Sequence, residues 1–150
     1  MKIGIADTSF ARVDMYKFAK KAIEDSGEKV SIKRYTVPGI KDLPAACVRL
    51  LKECDIAIAL GMPGPEQIDK QCAHEASLGL IWTQVQEKKH ILEVFVHLDE
   101  GDEKTVYRVA KDRAYKHAQN ALVLLKDPTG LKKYAGKGIR QGFENEGTIR

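Results

Sequence analysis

Cysteine is scarce in this chain: 3 of its 150 residues are cysteines, namely Cys47, Cys54 and Cys72. An odd number without C-x-x-C spacing argues against a disulfide framework. It favours reduced thiols in a cytoplasm-like compartment. Only the Cys72-x-His74 pair resembles a metal-binding motif, and two ligands do not make a zinc site. No metal centre is therefore predicted from these residues.

Long hydrophobic runs and a leader sequence are also missing. No apolar stretch approaches the roughly 20 residues that cross a bilayer, and the opening MKIGIADTSF lacks the cleavage site of a signal peptide. The net charge is only +4, and acidic residues outnumber basic ones between positions 61 and 100, so no basic stripe suits a nucleic acid. We therefore expect a cytoplasmic protein with neither a membrane nor a nucleic-acid partner.

Three motifs of nucleotide binding and nucleophilic catalysis are absent. No G-x-x-x-x-G-K-[ST] occurs, and no G-x-G-x-x-G follows the first predicted strand. Gly136-x-Gly138 comes after the last predicted helix, which is the wrong context for a dinucleotide fingerprint. A G-x-S-x-G nucleophile elbow is also missing. The sequence therefore supports neither nucleotide binding nor serine-based catalysis.

What the sequence does contain is a regular alternation of strand and helix patterns. Short apolar or alternating runs predict strands over residues 2–6, 29–36, 55–60 and 91–97. Apolar residues at helical spacing predict four helices, which begin near Met15, Asp42, Gln67 and Val106. In the last helix the inward stripe includes Arg113 and His117. Four βα units in series predict a three-layer αβα fold, with a four-stranded parallel sheet in the flavodoxin-like order 2-1-3-4.

The chain divides into a single α/β domain over residues 1–135 and a C-terminal arm over residues 136–150. At this length one domain is the expectation. The arm is rich in glycine and charge and has no periodicity. Two interpretations of the arm stay open, a disordered tail or a segment that a neighbouring subunit orders.

The carboxyl ends of the strands are where an open α/β sheet binds ligands. The segments that lie there are 7–12, 37–42, 61–67 and 97–101. They contain the aromatic Phe10, two proline–glycine turns and His97. Rigid turns at this edge leave backbone N–H and C=O groups directed at a ligand.

Several of these segments carry recognisable motifs. Thr8-Ser9-Phe10, VPGIKDLP at 37–44, Ala59-Leu60-Gly61 and HEASLGL at 74–80 follow one another in the order seen in the lumazine synthase superfamily, which the chain resembles. Within that superfamily, AHEAS at 73–77, EVFVH at 93–97 and AGKGIRQGF at 135–143 closely resemble archaeal-type riboflavin synthases. The resemblance covers nearly the whole chain.

Two loops depart from the lumazine synthase pattern. The segment Gly64-Pro65-Glu66-Gln67 lacks the family's threonine and adds a carboxylate, and His97-Leu98-Asp99-Glu100 replaces a Leu-Thr ending. A carboxylate beside a phosphate is unfavourable because like charges repel. These departures favour a riboflavin synthase over a lumazine synthase, which must hold a phosphorylated ketone.

The resemblance implies a transferase reaction in riboflavin biosynthesis. Two molecules of 6,7-dimethyl-8-ribityllumazine would dismutate to riboflavin and 5-amino-6-ribitylaminouracil. It also implies a homopentamer with its sites at subunit interfaces. The alternatives are a lumazine synthase, which condenses dihydroxybutanone phosphate, and a non-catalytic flavin- or lumazine-binding protein.

Candidate site residues follow from the strand ends and from the resemblance. His74 and His97 are the predicted catalytic residues, because a free imidazole titrates near pH ~6.5 and both lie toward the crevice. His90 and His117 are interpreted as structural. Predicted substrate-binding residues are Phe10, Ala11, Pro38, Gly39, Ile40, Lys41, Asp42, Gly61, Met62, Pro63 and Phe95. Asp42 is equally suited to cap the second helix.

No covalently bound cofactor is expected for this reaction. Mg²⁺ remains an option, because carboxylate oxygens are its usual protein ligands. The acidic residues that lie near the crevice are Glu66, Glu75, Asp99 and Glu100. A solvated acidic rim is the favoured interpretation of these four residues.

Overall fold

A parallel four-stranded sheet forms the centre of the computed structural model, which describes residues 1–150. Its strands are β1 (Lys2–Thr8), β2 (Ser31–Val37), β3 (Ile56–Gly61) and β4 (Ile91–Phe95). They lie in the order β2-β1-β3-β4. Ile5 of β1 pairs with Arg34 on one side and with Ile58 on the other. The predicted sheet and its strand order are confirmed.

Four helices cover the two faces of this sheet. They are α1 (Tyr16–Asp25), α2 (Leu43–Leu51), α3 (Gln67–Glu87) and α4 (Glu103–Lys126). The buried residues of α1 and α4 form one hydrophobic cluster with one face of the sheet. Those of α2 and α3 form a second cluster on the opposite face. The three-layer αβα prediction is confirmed, and none of the helices is both long and apolar enough to cross a membrane.

Side-chain size along the central strands sets how closely the helices approach. On β3, Ile58 faces the α1/α4 layer, whereas Ala57 and Ala59 face the α2/α3 layer. Gly4 of β1 lies so close to α2 that an added Cβ would be 2.8 Å from Leu50 Cβ. Small residues on this face therefore let α2 pack directly on the sheet.

The last strand ends two residues earlier than its apolar run predicts. Beyond Phe95, the N–H of Val96 donates to Gly61 O at 3.0 Å and that of Leu98 donates to Pro63 O at 3.0 Å. Pro63 has no N–H with which to continue the ladder. The chain turns instead, with Glu100 N–H donating to His97 O at 3.1 Å. His97 therefore lies in the turn after β4.

Two local predictions about helices are wrong. The buried stripe of α4 includes Ala114 and Ala118, so the predicted inward positions Arg113 and His117 lie at its half-buried edge. Alanines let the helix approach the sheet, while the longer polar side chains extend past its margin. Asp42 does not cap α2 with its side chain. Its carboxylate accepts a hydrogen bond from Gly39 N–H at 3.1 Å instead.

The C-terminal arm, residues 136–150, folds back onto α4 of its own chain. Gly142 N–H donates to Asp112 Oδ2 at 2.7 Å, and Arg108 donates to Gly142 O at 3.1 Å. Within the arm, Glu146 N–H donates to Gly138 O at 2.9 Å. These bonds hold the segment around Gly142 against the same end of the sheet as the loops of the candidate site.

Candidate functional site

Phe10 is presented at the carboxyl end of β1 by a short turn. Ser9 N–H donates to Val37 O at 2.9 Å, which continues the pairing of β1 with β2. Ala11 N–H donates to the Thr8 hydroxyl at 3.3 Å. The Phe10 side chain remains 64% exposed. A largely exposed ring held by a fixed turn offers one face to a flat ligand.

The second wall of the site is the turn that follows β2. Residues Ile40–Asp42 form one turn of 3₁₀ helix. The Asp42 carboxylate fixes the turn through Gly39 N–H. Lys41 pairs with Glu75 of α3 at 2.9 Å. This pair raises the pKa of Lys41 and lowers that of Glu75, mainly through the hydrogen bond between them.

The loop after β3 closes the site from the third side. Met62 is buried with 1% exposure, and Pro63 and Gly64 follow it. Asp69 in the first turn of α3 accepts a hydrogen bond from Glu66 N–H at 3.1 Å. A Cβ on Gly64 would meet the Asp69 carboxylate, which would have to shift to make room for it. The start of α3 and the loop are thereby fixed to each other.

Together these loops enclose a cavity of about 230 Å³, which we call the Phe10 cavity. Seven of the predicted substrate-binding residues line it: Phe10, Gly39, Ile40, Lys41, Asp42, Met62 and Pro63. Sequence reasoning missed three further lining residues, Gly64, Asp69 and Cys72. Gly64 lies inside the predicted loop segment 61–67, and Asp69 and Cys72 lie in the first turns of α3 directly after it, which is the signal that could have identified them.

Gly61 and Phe95 shape the cavity wall from behind. A Cβ on Gly61 would lie 2.6 Å from Phe95 Cε1 and 3.0 Å from Ile40 Cγ2. Because Gly61 has no side chain, the Phe95 ring and Ile40 can both pack against the end of β3. Ile40 in turn lines the Phe10 cavity. Phe95 itself is half-buried.

Four other predicted site residues do not line the Phe10 cavity, and one of them is His97. Ala11 lines a separate cavity of about 150 Å³ beside Asp7 and Arg34. Pro38 is exposed. His74 is exposed on α3, next to Glu75. Contact of these residues with a ligand stays a prediction.

His97 has an unsatisfied buried nitrogen. Its Nδ1 atom is buried without a hydrogen-bond partner, while its backbone N–H donates to Glu100 Oε2 at 2.8 Å. A buried polar atom without a partner is costly and uncommon. A ligand that supplies the missing partner would remove this cost, which makes His97 Nδ1 a candidate atom for a hydrogen bond to a ligand. By contrast, burial and the nearby Arg113 lower the pKa of His117 to about 4, so that imidazole is neutral at physiological pH.

An Arg113–Glu100 pair, which sequence reasoning left out of the site, braces the same turn. Arg113 donates to both carboxylate oxygens of Glu100 at 2.9 Å and to Phe95 O at 2.9 Å. The two side chains are 15% and 22% exposed. Burial opposes ionisation of Glu100, but the hydrogen bonds from Arg113 and from His97 N–H lower its pKa overall.

Glu93 of β4, four residues before His97, carries a half-buried carboxyl group. Ser77 of α3 donates to Glu93 Oε1 at 2.8 Å. Burial raises the pKa of Glu93, although the Ser77 bond and the nearby His97 oppose that rise. Both residues fall within motifs that resemble the archaeal-type enzymes.

A second and larger cavity, of about 510 Å³, adjoins the first at Met62. We call it the Tyr107 cavity. The residues that line it are Arg12, Val13, Met62, Leu98, Gly101, Asp102, Glu103, Val106 and Tyr107. Arg12 and Glu103 form an ion pair of 2.6 Å at its rim. Its walls combine three of the strand-end segments with the start of α4, and none of its lining residues except Met62 was predicted to bind substrate.

Comparison with known proteins assigns the family. The profile of the 6,7-dimethyl-8-ribityllumazine synthase family matches residues 1–128. The chain belongs to this family. It is 49% identical over 152 aligned residues to a riboflavin synthase of Methanothermobacter thermautotrophicus, with 99% of each chain covered. It is 50% identical to the riboflavin synthase of Methanothermobacter marburgensis and 46% identical to that of Archaeoglobus fulgidus, again with 99% coverage of each chain.

The family profile and the individual relatives match different lengths of the chain. The family profile ends at residue 128, before the C-terminal arm. The alignments with the riboflavin synthases cover 99% of this chain, so the similarity to them extends into the C-terminal arm. The resemblance read from the motifs is thus confirmed.

The acidic residues considered for Mg²⁺ do not gather into a metal site in this family member. Glu75 pairs with Lys41, Asp99 with Lys70 at 2.6 Å, and Glu100 with Arg113. Nowhere do three side chains of His, Cys, Asp or Glu approach one another closely enough to hold a metal ion. Binding of Mg²⁺ by these residues therefore stays a prediction.

The outer side of α3 carries an uncovered hydrophobic surface, which we call the α3 apolar face. It consists of Leu78, Ile81, Trp82 and Val85, whose side chains are 53%, 53%, 66% and 63% exposed. Their spacing places them on one stripe of the helix. An exposed apolar patch of this kind is typical of a surface that another protein covers.

Proposed function

We propose that this protein is a riboflavin synthase, which converts two molecules of 6,7-dimethyl-8-ribityllumazine into riboflavin and 5-amino-6-ribitylaminouracil. The observation that carries the proposal is the 46–50% identity to proteins named riboflavin synthase over 99% of both chains. The reaction moves a four-carbon unit from one lumazine to the other. Its atoms balance without an oxidant, a reductant or a second substrate.

The first lumazine is proposed to stack on Phe10 inside the Phe10 cavity. Support comes from the exposed ring and from the backbone around Gly39, Ile40, Met62 and Pro63, which lines the same space. Backbone N–H and C=O groups suit the pyrimidine edge, because they supply donors and acceptors at fixed positions. Lys41 and Asp42 are proposed to bind ribityl hydroxyls.

The second lumazine is proposed to be held with the help of a neighbouring subunit. Binding sites for small molecules usually measure about 300–1,000 Å³, and the Phe10 cavity has only about 230 Å³. The Phe10 cavity alone is therefore too small for two bicyclic rings. The α3 apolar face gives a neighbouring copy a surface on which to pack, so we propose a homopentamer with its sites between subunits.

Holding the two rings face to face is proposed to be the main catalytic effect. Such positioning lowers a barrier by as much as ~7–11 kcal/mol. Removal of a proton from the 7-methyl group of one lumazine starts the transfer, and a placed acid or base adds about 10²- to 10⁴-fold. His97 is proposed to carry this proton, supported by its unpartnered buried Nδ1. His74 remains the second candidate.

No resident cofactor is proposed for this reaction. Support comes from the ion pairs of Glu75, Asp99 and Glu100, which engage three of the four acidic residues considered for Mg²⁺. A cytoplasmic location is also proposed. It is supported by the three cysteines, none of which forms a disulfide. Burial raises the pKa of the Cys47 thiol to about 12, which makes it unreactive.

A lumazine synthase is the second candidate, because the matching family profile carries that description. That reaction needs an anion site for a phosphorylated ketone. Arg113 is poorly suited to this role, since its donors are engaged by Glu100, Phe95 O and Gln141 O. A buried guanidinium that already has a carboxylate partner has little capacity left for a phosphate.

Two incubations separate the candidates, one with the lumazine alone and one with the diaminouracil and dihydroxybutanone phosphate. The purified protein is given 6,7-dimethyl-8-ribityllumazine alone, and riboflavin is followed by its fluorescence. Formation of riboflavin without a phosphorylated donor supports the proposal. Lumazine formation from the diaminouracil and dihydroxybutanone phosphate, without riboflavin, supports the second candidate. Binding without turnover leaves a carrier, and neither binding nor turnover rejects the assignment.

The oligomer is tested separately by placing a charge on the α3 apolar face. Trp82→Glu is expected to dissociate the assembly, because a carboxylate would be buried between subunits. Sedimentation velocity measures the mass of the particle. Gln119→Glu, at an exposed position of α4, is the matched control and keeps the pentamer. An unchanged mass for Trp82→Glu would remove this face from the interface.

A further inference from the structure

The turn after β4 carries His97, and two ion pairs brace it, Arg113 with Glu100 and the more exposed Lys70 with Asp99. Toward the sheet, Val96 N–H and Leu98 N–H bond to the β3 loop. Away from the sheet, His97 N–H is bonded to Glu100 Oε2 at 2.8 Å. The position of the imidazole therefore depends on where the Glu100 carboxylate is fixed.

Arg113 fixes that carboxylate and the start of the turn at the same time. Its Nη1 atom donates to Phe95 O and to Glu100 Oε2, each at 2.9 Å, and Nη2 donates to Glu100 Oε1 at 2.9 Å. The turn is thus closed into a ring that runs from the Phe95 carbonyl through Arg113 and Glu100 to His97. Planar two-point bonding of this type sets both distance and orientation.

The C-terminal arm holds the guanidinium from the other side. Gln141 O accepts from Arg113 Nε at 3.4 Å, and the Phe143 ring centre lies 5.6 Å from the guanidinium carbon. A Cβ on Gly142 would lie 2.9 Å from both Nε and Nη2 of Arg113. Gly142 also has φ +90°, a conformation that other residues adopt only with strain. Glycine is therefore the residue that lets the arm close over Arg113.

We call the bonded set of Phe95 O, Arg113, Glu100 and His97 N–H the Arg113–Glu100 bracket. A purely structural role for this bracket does not explain why His97 Nδ1 is left without a hydrogen-bond partner. Glu100 bonds the backbone N–H of His97 and leaves the ring nitrogen Nδ1 buried without a partner. The bracket immobilises the residue with the unsatisfied nitrogen instead of satisfying it. Such an arrangement fixes the nitrogen in place and leaves it without a partner inside the protein.

We propose that Arg113, held by Glu100 and by the Gly142 segment of the arm, is a positioning residue that fixes the His97 imidazole for proton transfer. The inference rests on the proposed function, and it assigns a catalytic purpose to the arm. In this proposal Arg113 acts without touching the substrate. Its effect is exerted through the backbone of the 95–100 turn.

A double-mutant cycle tests whether the bracket acts through His97. The variants are Glu100→Gln, His97→Ala and the two combined, each assayed for kcat and KM with 6,7-dimethyl-8-ribityllumazine. Glu100→Gln keeps the shape of the side chain and removes its charge. We expect it to lower kcat about 10-fold or more and to change KM less than about 3-fold, within the contribution of a positioned acid or base.

In the His97→Ala background, Glu100→Gln is expected to cause no further loss of kcat. Residues that act as one unit show this non-additivity. Fold-losses that multiply, or an unchanged kcat for either single variant, would overturn the inference. Glu53→Gln removes one partner of an exposed ion pair with Lys33 at 2.7 Å and is the matched control, with wild-type kcat expected.

Gly142→Ala supplies the second variant, because it disturbs Arg113 without altering a charge. It is expected to lower kcat with the same dependence on His97, and circular dichroism verifies that each variant is folded. An unchanged kcat for folded Gly142→Ala would refute the part played by the arm. The wild-type enzyme separates this failure from that of the proposed function, since a wild type that makes no riboflavin would end the function itself.

Discussion

Replacing Phe10 by alanine isolates the stacking surface of the proposed lumazine site. The side chain is 64% exposed, so its removal takes little from the core and the fold should persist. A bound lumazine would cover one face of the ring, roughly 60 Å² of apolar surface, which is worth about 1.5 kcal/mol at ~25 cal/mol per Å². Ring stacking adds ~0.5–1.5 kcal/mol. The expected loss of about 2–3 kcal/mol corresponds to roughly 30- to 140-fold weaker binding.

Fluorescence titration with a non-reactive lumazine analogue measures this affinity without turnover. Tyr134→Ala is the matched control, because Tyr134 is a 44% exposed aromatic outside both cavities. It should bind like the wild type. An unchanged Kd for folded Phe10→Ala would refute the stacking role and move the lumazine out of the Phe10 cavity.

Three further predictions concern the turn after β4 and its surroundings. His97→Ala should lower kcat about 100-fold at saturating substrate, measured by riboflavin fluorescence; if it and His74→Ala both keep wild-type kcat, neither histidine moves the rate-limiting proton. Gly61→Ala should lower the free energy of unfolding by about 1–3 kcal/mol, because its Cβ would lie 2.6 Å from the Phe95 ring; an unchanged urea midpoint would contradict this. Hydrogen bonds from Arg113 lower the pKa of Glu100 in the folded protein. The pair should therefore stabilise the fold fully above the pKa of Glu100 in the unfolded chain, about 4.3. This stabilisation should be lost as the pH falls through the lower pKa that Glu100 has in the folded protein. Urea titrations between pH 7 and pH 3 should show a smaller pH dependence for Glu100→Gln, and an identical dependence would contradict it.

Strand order and helix layers were predictable because they depend on local patterns. Each strand is a short apolar or alternating run, and four βα units in series leave few parallel topologies. The Phe10 cavity was largely predictable for the same reason. Its walls are the loops at the carboxyl ends of β1, β2 and β3, and parallel strands bring these ends to one edge of the sheet.

The Arg113–Glu100 bracket was not predictable, because it depends on contacts between distant segments. Its donors and acceptors come from the β4 turn, from α4 and from the arm at Gln141. Nothing in the local sequence indicates that Gly142 adopts φ +90° against a guanidinium. The Arg113 and His117 stripe of α4 was misplaced because alanines, which carry little hydrophobic signal, occupy the buried face.

The stoichiometry of the reaction tests the central claim most directly. Chromatography after incubation with 6,7-dimethyl-8-ribityllumazine alone quantifies the lumazine consumed, the riboflavin formed and the 5-amino-6-ribitylaminouracil formed. A dismutation within one shared site predicts that two lumazines disappear for each riboflavin and each diaminouracil that form. Riboflavin without an equal amount of the diaminouracil, or no riboflavin at all, would contradict the account.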